Sequence, residues 1–143
     1  MRARWEALLR AEPVTTPLGL PDTLVHLIDT TLEEIFVALD NPPIRPGTNA
    51  RTVAASEPLL CPCGRNPLLA YFTAAEQALR EGLILAQATC APLAPIERDS
   101  SLEELDTVLQ QISRREIEAF CGVCQFRQLA LPAPVQTLAV HGG

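Results

Sequence analysis

Four cysteines in two short stations are the residues of this chain best suited to chemistry. Cys61-Pro62-Cys63-Gly64 places two thiols one residue apart, and Cys121-Gly122-Val123-Cys124 places two more at the C-x-x-C spacing. Thiolates bind zinc tetrahedrally, and structural zinc sites often draw their four ligands from two cysteine pairs on separate turns. Cys61, Cys63, Cys121 and Cys124 supply the number and type of ligand for one zinc ion. An iron–sulfur cluster is the alternative occupant, because four thiolates also suit it. A redox dithiol at Cys121 and Cys124 is a further reading, although its usual βαβ setting is missing from the pattern.

The 57 residues between Cys63 and Cys121 exceed the spacing of compact zinc fingers, so longer elements must bring the stations together. A helical hairpin does this if one helix begins at the first station and the next ends at the second. Asn66-Pro67 pairs a good N-cap with a residue suited to the first helical position. A helix is expected from Pro67 to Thr89 or Cys90, with Leu68, Leu69, Phe72, Ala75, Leu79, Leu83 and Ala86 as its buried stripe. Ala70, Ala74, Ala78 and Gly82 form a small-residue face that permits close approach of another helix. Ala91 to Asp99 is expected as a connector. Ser101-Leu-Glu-Glu104 then reads as a capping box opening the second helix, with Leu102, Leu105, Leu109 and Ile112 inward. Ser113-Arg-Arg-Glu116 either restarts a short helix through Phe120 or lies inside a longer one.

Run antiparallel, these helices put both stations at one end. Cys61 and Cys63 then sit beside a helix N-terminus, whose dipole favours thiolates. Gly64 and Gly122 are expected to provide permissive backbone for the two turns. Cys90 belongs at the far end of its helix, more than about 30 Å from the stations at 1.5 Å per residue, and reads as a small buried hydrophobe.

The remaining elements must support that hairpin. Arg2 to Glu12 fits a short helix with Trp5, Leu8 and Leu9 on one side, ended by Pro13 and expected to pack on the domain. A longer helix is expected from Asp22 to Leu39, where Leu24, Ile28, Leu32, Ile35, Phe36 and Leu39 recur at helical steps. Val25, Leu27 and Val37 widen this stripe, which points to cover on more than one side. Tyr71 is expected to pack, with its hydroxyl available to a network. His26 reads as a solvated helical histidine, and Glu33 and Glu34 as solvent-facing charges. Residues 41–60 are expected as a long irregular segment rich in proline, a candidate binding surface. Residues 132–143 read as a tail containing His141.

Composition sets further bounds. The hydrophobic fraction is 48% with only 4% aromatics, so the core is expected to be mostly Leu, Ile, Val and Ala. A net charge of −6 argues against a nucleic-acid partner, since phosphate binding needs a basic face. The basic residues are all arginine, which reads as compositional bias. No stretch has the apolar length of a membrane span, and the charged N-terminal residues lack the apolar region of a secretory signal. The expectation is therefore cytoplasmic, where cysteines serve as thiols or ligands rather than disulfides.

Cys61-Pro62-Cys63-Gly64 resembles the opening of small zinc motifs of the SEC-C type over those four residues. Arg65-Asn66-Pro67-Leu68 departs from the basic, cysteine-rich continuation of that motif. Cys121-Gly122-Val123-Cys124 resembles the N-terminal cysteine motif of nickel–iron hydrogenase large subunits, with Gln128 where that motif has a histidine. Neither four-residue likeness assigns a family.

The sequence thus points to an all-α fold: a small helical bundle over residues 1–131 whose four-cysteine metal site clasps a helical hairpin. The function expected is that of a non-catalytic, zinc-stabilised interaction or regulatory module with a protein partner. A homodimer through the small-residue face is compatible with it. A redox- or metal-responsive sensor, carrying an iron–sulfur cluster or reactive thiols at the same cysteines, is the alternative. Four thiolate ligands would close the coordination sphere that catalytic zinc keeps open, and no phosphate-binding glycine pattern is present.

Overall fold

A computed structural model describes residues 1–13, 19–41, 61, 64–89 and 93–124. They form an all-α bundle, with no strand among the described residues. The helices are α1 (Arg2–Ala11), α2 (Pro21–Leu24), α3 (Ile28–Asp40), α4 (Pro67–Thr89) and α5 (Pro95–Val123), with a 3-10 turn at Val25–Leu27 linking α2 to α3. No helix among the described residues is long and apolar enough to cross a membrane. Cys63, Cys90, His141, most of the 41–60 segment and the 132–143 tail lie outside the described residues, with whatever was expected of them.

Helices α4 and α5 make the hairpin. Their antiparallel register can be followed along its length. Asn66 meets the backbone of Ile117, Arg80 pairs with Asp106, and Gln87 donates to the carbonyl of Arg98. Phe72, Ala75 and Leu79 of α4 share one core with Leu105, Val108, Leu109, Ile112 and Ile117 of α5. Ala86, placed in the expected stripe, is exposed.

Helix α5 begins earlier than its sequence suggests. Pro95 takes the first helical position, and the Glu97 carboxylate accepts the Ala94 backbone N–H at 2.9 Å. This N-terminal lock replaces the box expected at Ser101, whose hydroxyl instead donates back to the Glu97 carbonyl at 2.8 Å. Ser113 is likewise internal: it is buried and donates to the Gln110 carbonyl, so α5 runs unbroken to Val123.

Helix α1 lies across the small-residue face of α4. Trp5 is fully buried, and its indole N–H donates to the Tyr71 carbonyl at 3.2 Å. Ala74 and Ala78 are buried there, and the Met1 side chain covers Gly82. This face, expected to permit close approach of another helix, receives α1. Arg4 binds Glu81 through two hydrogen bonds of 2.7 and 3.1 Å, while Arg2 and Arg10 reach Asp29 and Asp22. These arginines face carboxylates rather than forming a phosphate-binding row.

The second helical stretch departs from its expected form in two ways. The 3-10 turn interrupts it, and among the described residues only one side is covered. Leu24, Val25, Ile28 and Ile35 are buried, whereas Leu27, Phe36 and Val37 are exposed. Glu33 is exposed, as expected, but Glu34 pairs with Arg115 of α5 at 2.6 Å. His26 is exposed in the 3-10 turn.

The core also holds more aromatic substance than the composition implies. Trp5, Tyr71 and Phe72 stack in sequence, with ring centroids 4.9 and 5.1 Å apart, the second pair edge-on. The Tyr71 hydroxyl lies 2.8 Å from the Thr31 hydroxyl, which itself donates to the Leu27 carbonyl. Tyr71 is thus the donor to Thr31, and burial pushes its phenol up to about 12.

Candidate functional site

The hairpin brings one cysteine from each station into contact. The Cys121 thiol donates to the Cys61 sulfur at an S···S distance of 3.4 Å, although the two residues are 60 positions apart. The chain approaches α4 through a tight turn in which the Gly64 N–H donates to the Cys61 carbonyl at 2.9 Å. Gly64 adopts φ +64°, a left-handed conformation that costs a residue with a Cβ. Gly122 does not play the matching part. It lies within the last turn of α5 and has no positive φ, so Cys121 projects from a regular helix end.

Asn66 joins the two ends. Its Oδ1 accepts the Leu68 N–H at 3.0 Å, capping α4 as its residue type and position imply. Its Nδ2 points the other way, donating to the Ile117 carbonyl at 3.3 Å and to the Cys121 sulfur at 3.5 Å. Asn66 is buried. One amide therefore caps α4, holds the C-terminal turns of α5 and contacts the thiol. The sequence carried the cap; the cross-helix role has no local signal, because its partners are more than fifty residues away.

Two opposing influences act on Cys121. Burial and the adjacent Cys61 push its thiol up, with a smaller effect in the same direction from Cys124, while the Asn66 N–H draws it down. The C-terminal end of α5, where Cys121 sits, also favours positive over negative charge. A soft cation bridging the pair would reverse this balance, since a coordinating thiol is held deprotonated by the metal's own charge.

The pair spacing suits shared coordination. Sulfurs at about 2.3 Å from one tetrahedral zinc stand about 3.8 Å apart, a few tenths of an ångström beyond the observed separation. A disulfide requires about 2.05 Å. Cys61, Cys121 and Cys124 form no disulfide among the described residues, and each is partly buried. Among the described residues no group of three His, Cys, Asp or Glu side chains converges closely enough to hold a metal ion. Of the four expected ligands, Cys61 and Cys121 meet. Cys124 follows at the C-cap of α5, its N–H donating to the Cys121 carbonyl at 3.4 Å.

Away from this end, a groove of about 270 Å³ lies between α3, α4 and α5, walled by Phe36, Leu39, Leu83 and Leu105. Ser101 and Glu104 are the polar residues of its lining. No protein-family model matches the chain, and no curated protein or solved structure is detectably similar to it.

Proposed function

We propose that this chain is a non-catalytic, metal-stabilised helical module. One zinc ion is held by Cys61, Cys63, Cys121 and Cys124, and clasps the open end of the α4–α5 hairpin. The observation that carries the reading is the 3.4 Å approach of Cys61 and Cys121 across 60 positions of sequence. Two thiols distant in the chain meet where α4 begins and α5 ends, beside a residue that donates to sulfur. Metal-ligating side chains are characteristically oriented by such outer hydrogen bonds, and Asn66 would fill this role. Four thiolates leave no open position for substrate, so the metal here supplies folding free energy rather than a reaction centre. The module acts in a reducing, cytoplasmic setting and binds a protein partner.

The test is metal analysis of the full chain purified without added metal. One zinc per chain, lost together with thermal stability on treatment with a strong chelator, is the expected result. A Cys121→Ser chain that keeps one zinc at full affinity would overturn the shared site. Visible absorption accompanied by iron and sulfide would replace zinc with a cluster.

A further inference from the structure

The fold brings together two cysteines that are 60 positions apart in sequence. A C-x-x-C dithiol would place redox chemistry between Cys121 and Cys124. The sulfur standing 3.4 Å from Cys121 is instead that of Cys61, on the other arm of the hairpin. We propose that Cys61 and Cys121 form one oxidative modification site, a reversible disulfide that locks the end of α5 to the approach of α4, with hydroperoxides as its class of oxidant. The proposal shares two cysteines with the metal reading but needs only their juxtaposition, not the metal.

Three features favour this pair. Both residues are partly rather than fully buried, which leaves them open to small oxidants while the two sulfurs stay in contact. Asn66 fixes the Cys121 sulfur on the side facing Cys61 through its N–H, while tied to the Ile117 carbonyl and the α4 cap. Cys121 and Cys124 both belong to the C-terminal end of α5, in its last turn and at its cap. The Cys61 and Cys121 sulfurs, by contrast, lie on separate arms of the hairpin and already stand 3.4 Å apart.

The chemistry balances without any further reactant. One thiolate attacks an oxygen of hydrogen peroxide; the O–O bond breaks, the sulfur becomes a sulfenic acid, and the departing hydroxide takes a proton to leave as water. The second thiolate attacks that sulfenic sulfur, forming the S–S bond and releasing the second hydroxide as water. Two thiols and one peroxide give one disulfide and two waters, with two electrons passing from sulfur to oxygen. A dithiol reductant reverses the outcome by thiol–disulfide exchange.

The sequence makes the test direct. Trypsin releases Cys61 and Cys63 together in the peptide 52–65, and Cys121 and Cys124 together in 116–127. The full chain, reduced and freed of metal with a chelator, is treated with stoichiometric hydrogen peroxide, alkylated and digested. The expected product joins the two peptides through Cys61 and Cys121, leaves Cys63 and Cys124 alkylated, and disappears on reduction. Cys61→Ser should lose this product and Cys124→Ser should keep it, each checked for parental helicity beforehand. The wild-type map alone decides if a variant fails to fold. A disulfide confined within either peptide, or oxidation to sulfinic acid without joined peptides, overturns the proposal. Joined peptides in a chain that takes up no zinc would uphold this site while sinking the metal reading. A chain that binds zinc, yet never joins the peptides once stripped, would do the reverse.

Discussion

Replacing Asn66 tests whether one buried amide holds the two helix ends together. Asn66→Ala removes the side chain that caps α4 and donates to the Ile117 carbonyl and the Cys121 sulfur. Loss of an N-cap costs about 1 kcal/mol, and loss of a net intramolecular hydrogen bond costs about another 1 kcal/mol. The N–H contact to sulfur adds a smaller amount, so the Ala chain should lose about 2–3 kcal/mol. Asn66→Ser keeps an oxygen able to cap α4 but is too short to span to Ile117. It should recover the capping share and remain about 1–1.5 kcal/mol below the parent.

Urea unfolding followed by far-UV circular dichroism measures both variants, in reductant and chelator so that neither disulfide nor metal contributes. At a slope of about 2 kcal/mol per M, the Ala variant should shift the midpoint by about 1 M or slightly more. A double-mutant cycle with Cys121→Ala then isolates the amide–sulfur contact as the part of the loss that is not additive. A Ser variant as stable as the parent would show that the cross-helix clamp contributes nothing, and would refute the account of how Cys121 is held against Cys61. An Ala variant within about 0.5 kcal/mol of the parent would refute the capping account as well.

Trp5→Ala should cost about 3–5 kcal/mol, because it empties a fully buried site and removes the hydrogen bond to the Tyr71 carbonyl; faster amide exchange along α1 would report the helix lifting from α4. Tyr71→Phe should cost about 1 kcal/mol through loss of the donor to Thr31. Because the Tyr71 phenol is raised to about 12 in the folded chain, its contribution is complete below the ordinary phenol pKa of about 10 and is lost as pH rises from there through about 12. Ultraviolet titration should therefore show Tyr71, the one tyrosine of the chain, ionising together with unfolding, whereas a smooth titration near 10 would contradict its burial. Closing the Cys61–Cys121 disulfide should raise stability by up to about 4 kcal/mol, since it removes a long loop from the unfolded chain; an oxidised form less stable than the reduced one would mean that the bond strains the hairpin.

The hairpin was largely legible before its structure was known, and the reasons are local. Asn66-Pro67 states a helix start in two residues, and the structure begins α4 at Pro67 with Asn66 as its cap. The start of α5 was misplaced because Ser101 and Glu104 imitate a capping box. The true signal, Pro95 with Glu97 two residues on, sits in a proline-rich stretch that reads as connector. Helical spacing marks Trp5 and Phe72 as inward positions and leaves Tyr71 beside the stripe, but it cannot say that the three stack on one another. The same limit applies to the small-residue face of α4. Sequence shows that something can approach Ala74 and Ala78, and only the fold shows that α1 does. At the site, the types and spacing of the cysteines suggested that the stations meet. Which sulfurs touch depends on side-chain direction at two chain ends, and no local pattern encodes that.

The contact between Cys61 and Cys121 is best understood as a consequence of register. The links at Asn66–Ile117, Arg80–Asp106 and Gln87–Arg98 advance in step along both helices. Continued past Asn66, the same step brings the last residues of α5 opposite the turn that carries Cys61. Helix α4 has 23 residues and α5 has 29, and the extra length of α5 extends beyond the start of α4. A slip of a single helical turn would carry Cys121 about 5.4 Å from its present level and break the contact. The exposed Arg80–Asp106 ion pair is too weakly stabilising to prevent such a slip alone. Phe72, Leu79, Leu105, Leu109 and Ile112, interdigitated in the core, set the register, and Asn66 fixes it at the end where the sulfurs lie. Any ligand or bond that joins Cys61 to Cys121 therefore selects the same register as the hydrophobic core. Removing it should loosen the hairpin end first, while the packing around Tyr71 and Ile112 persists.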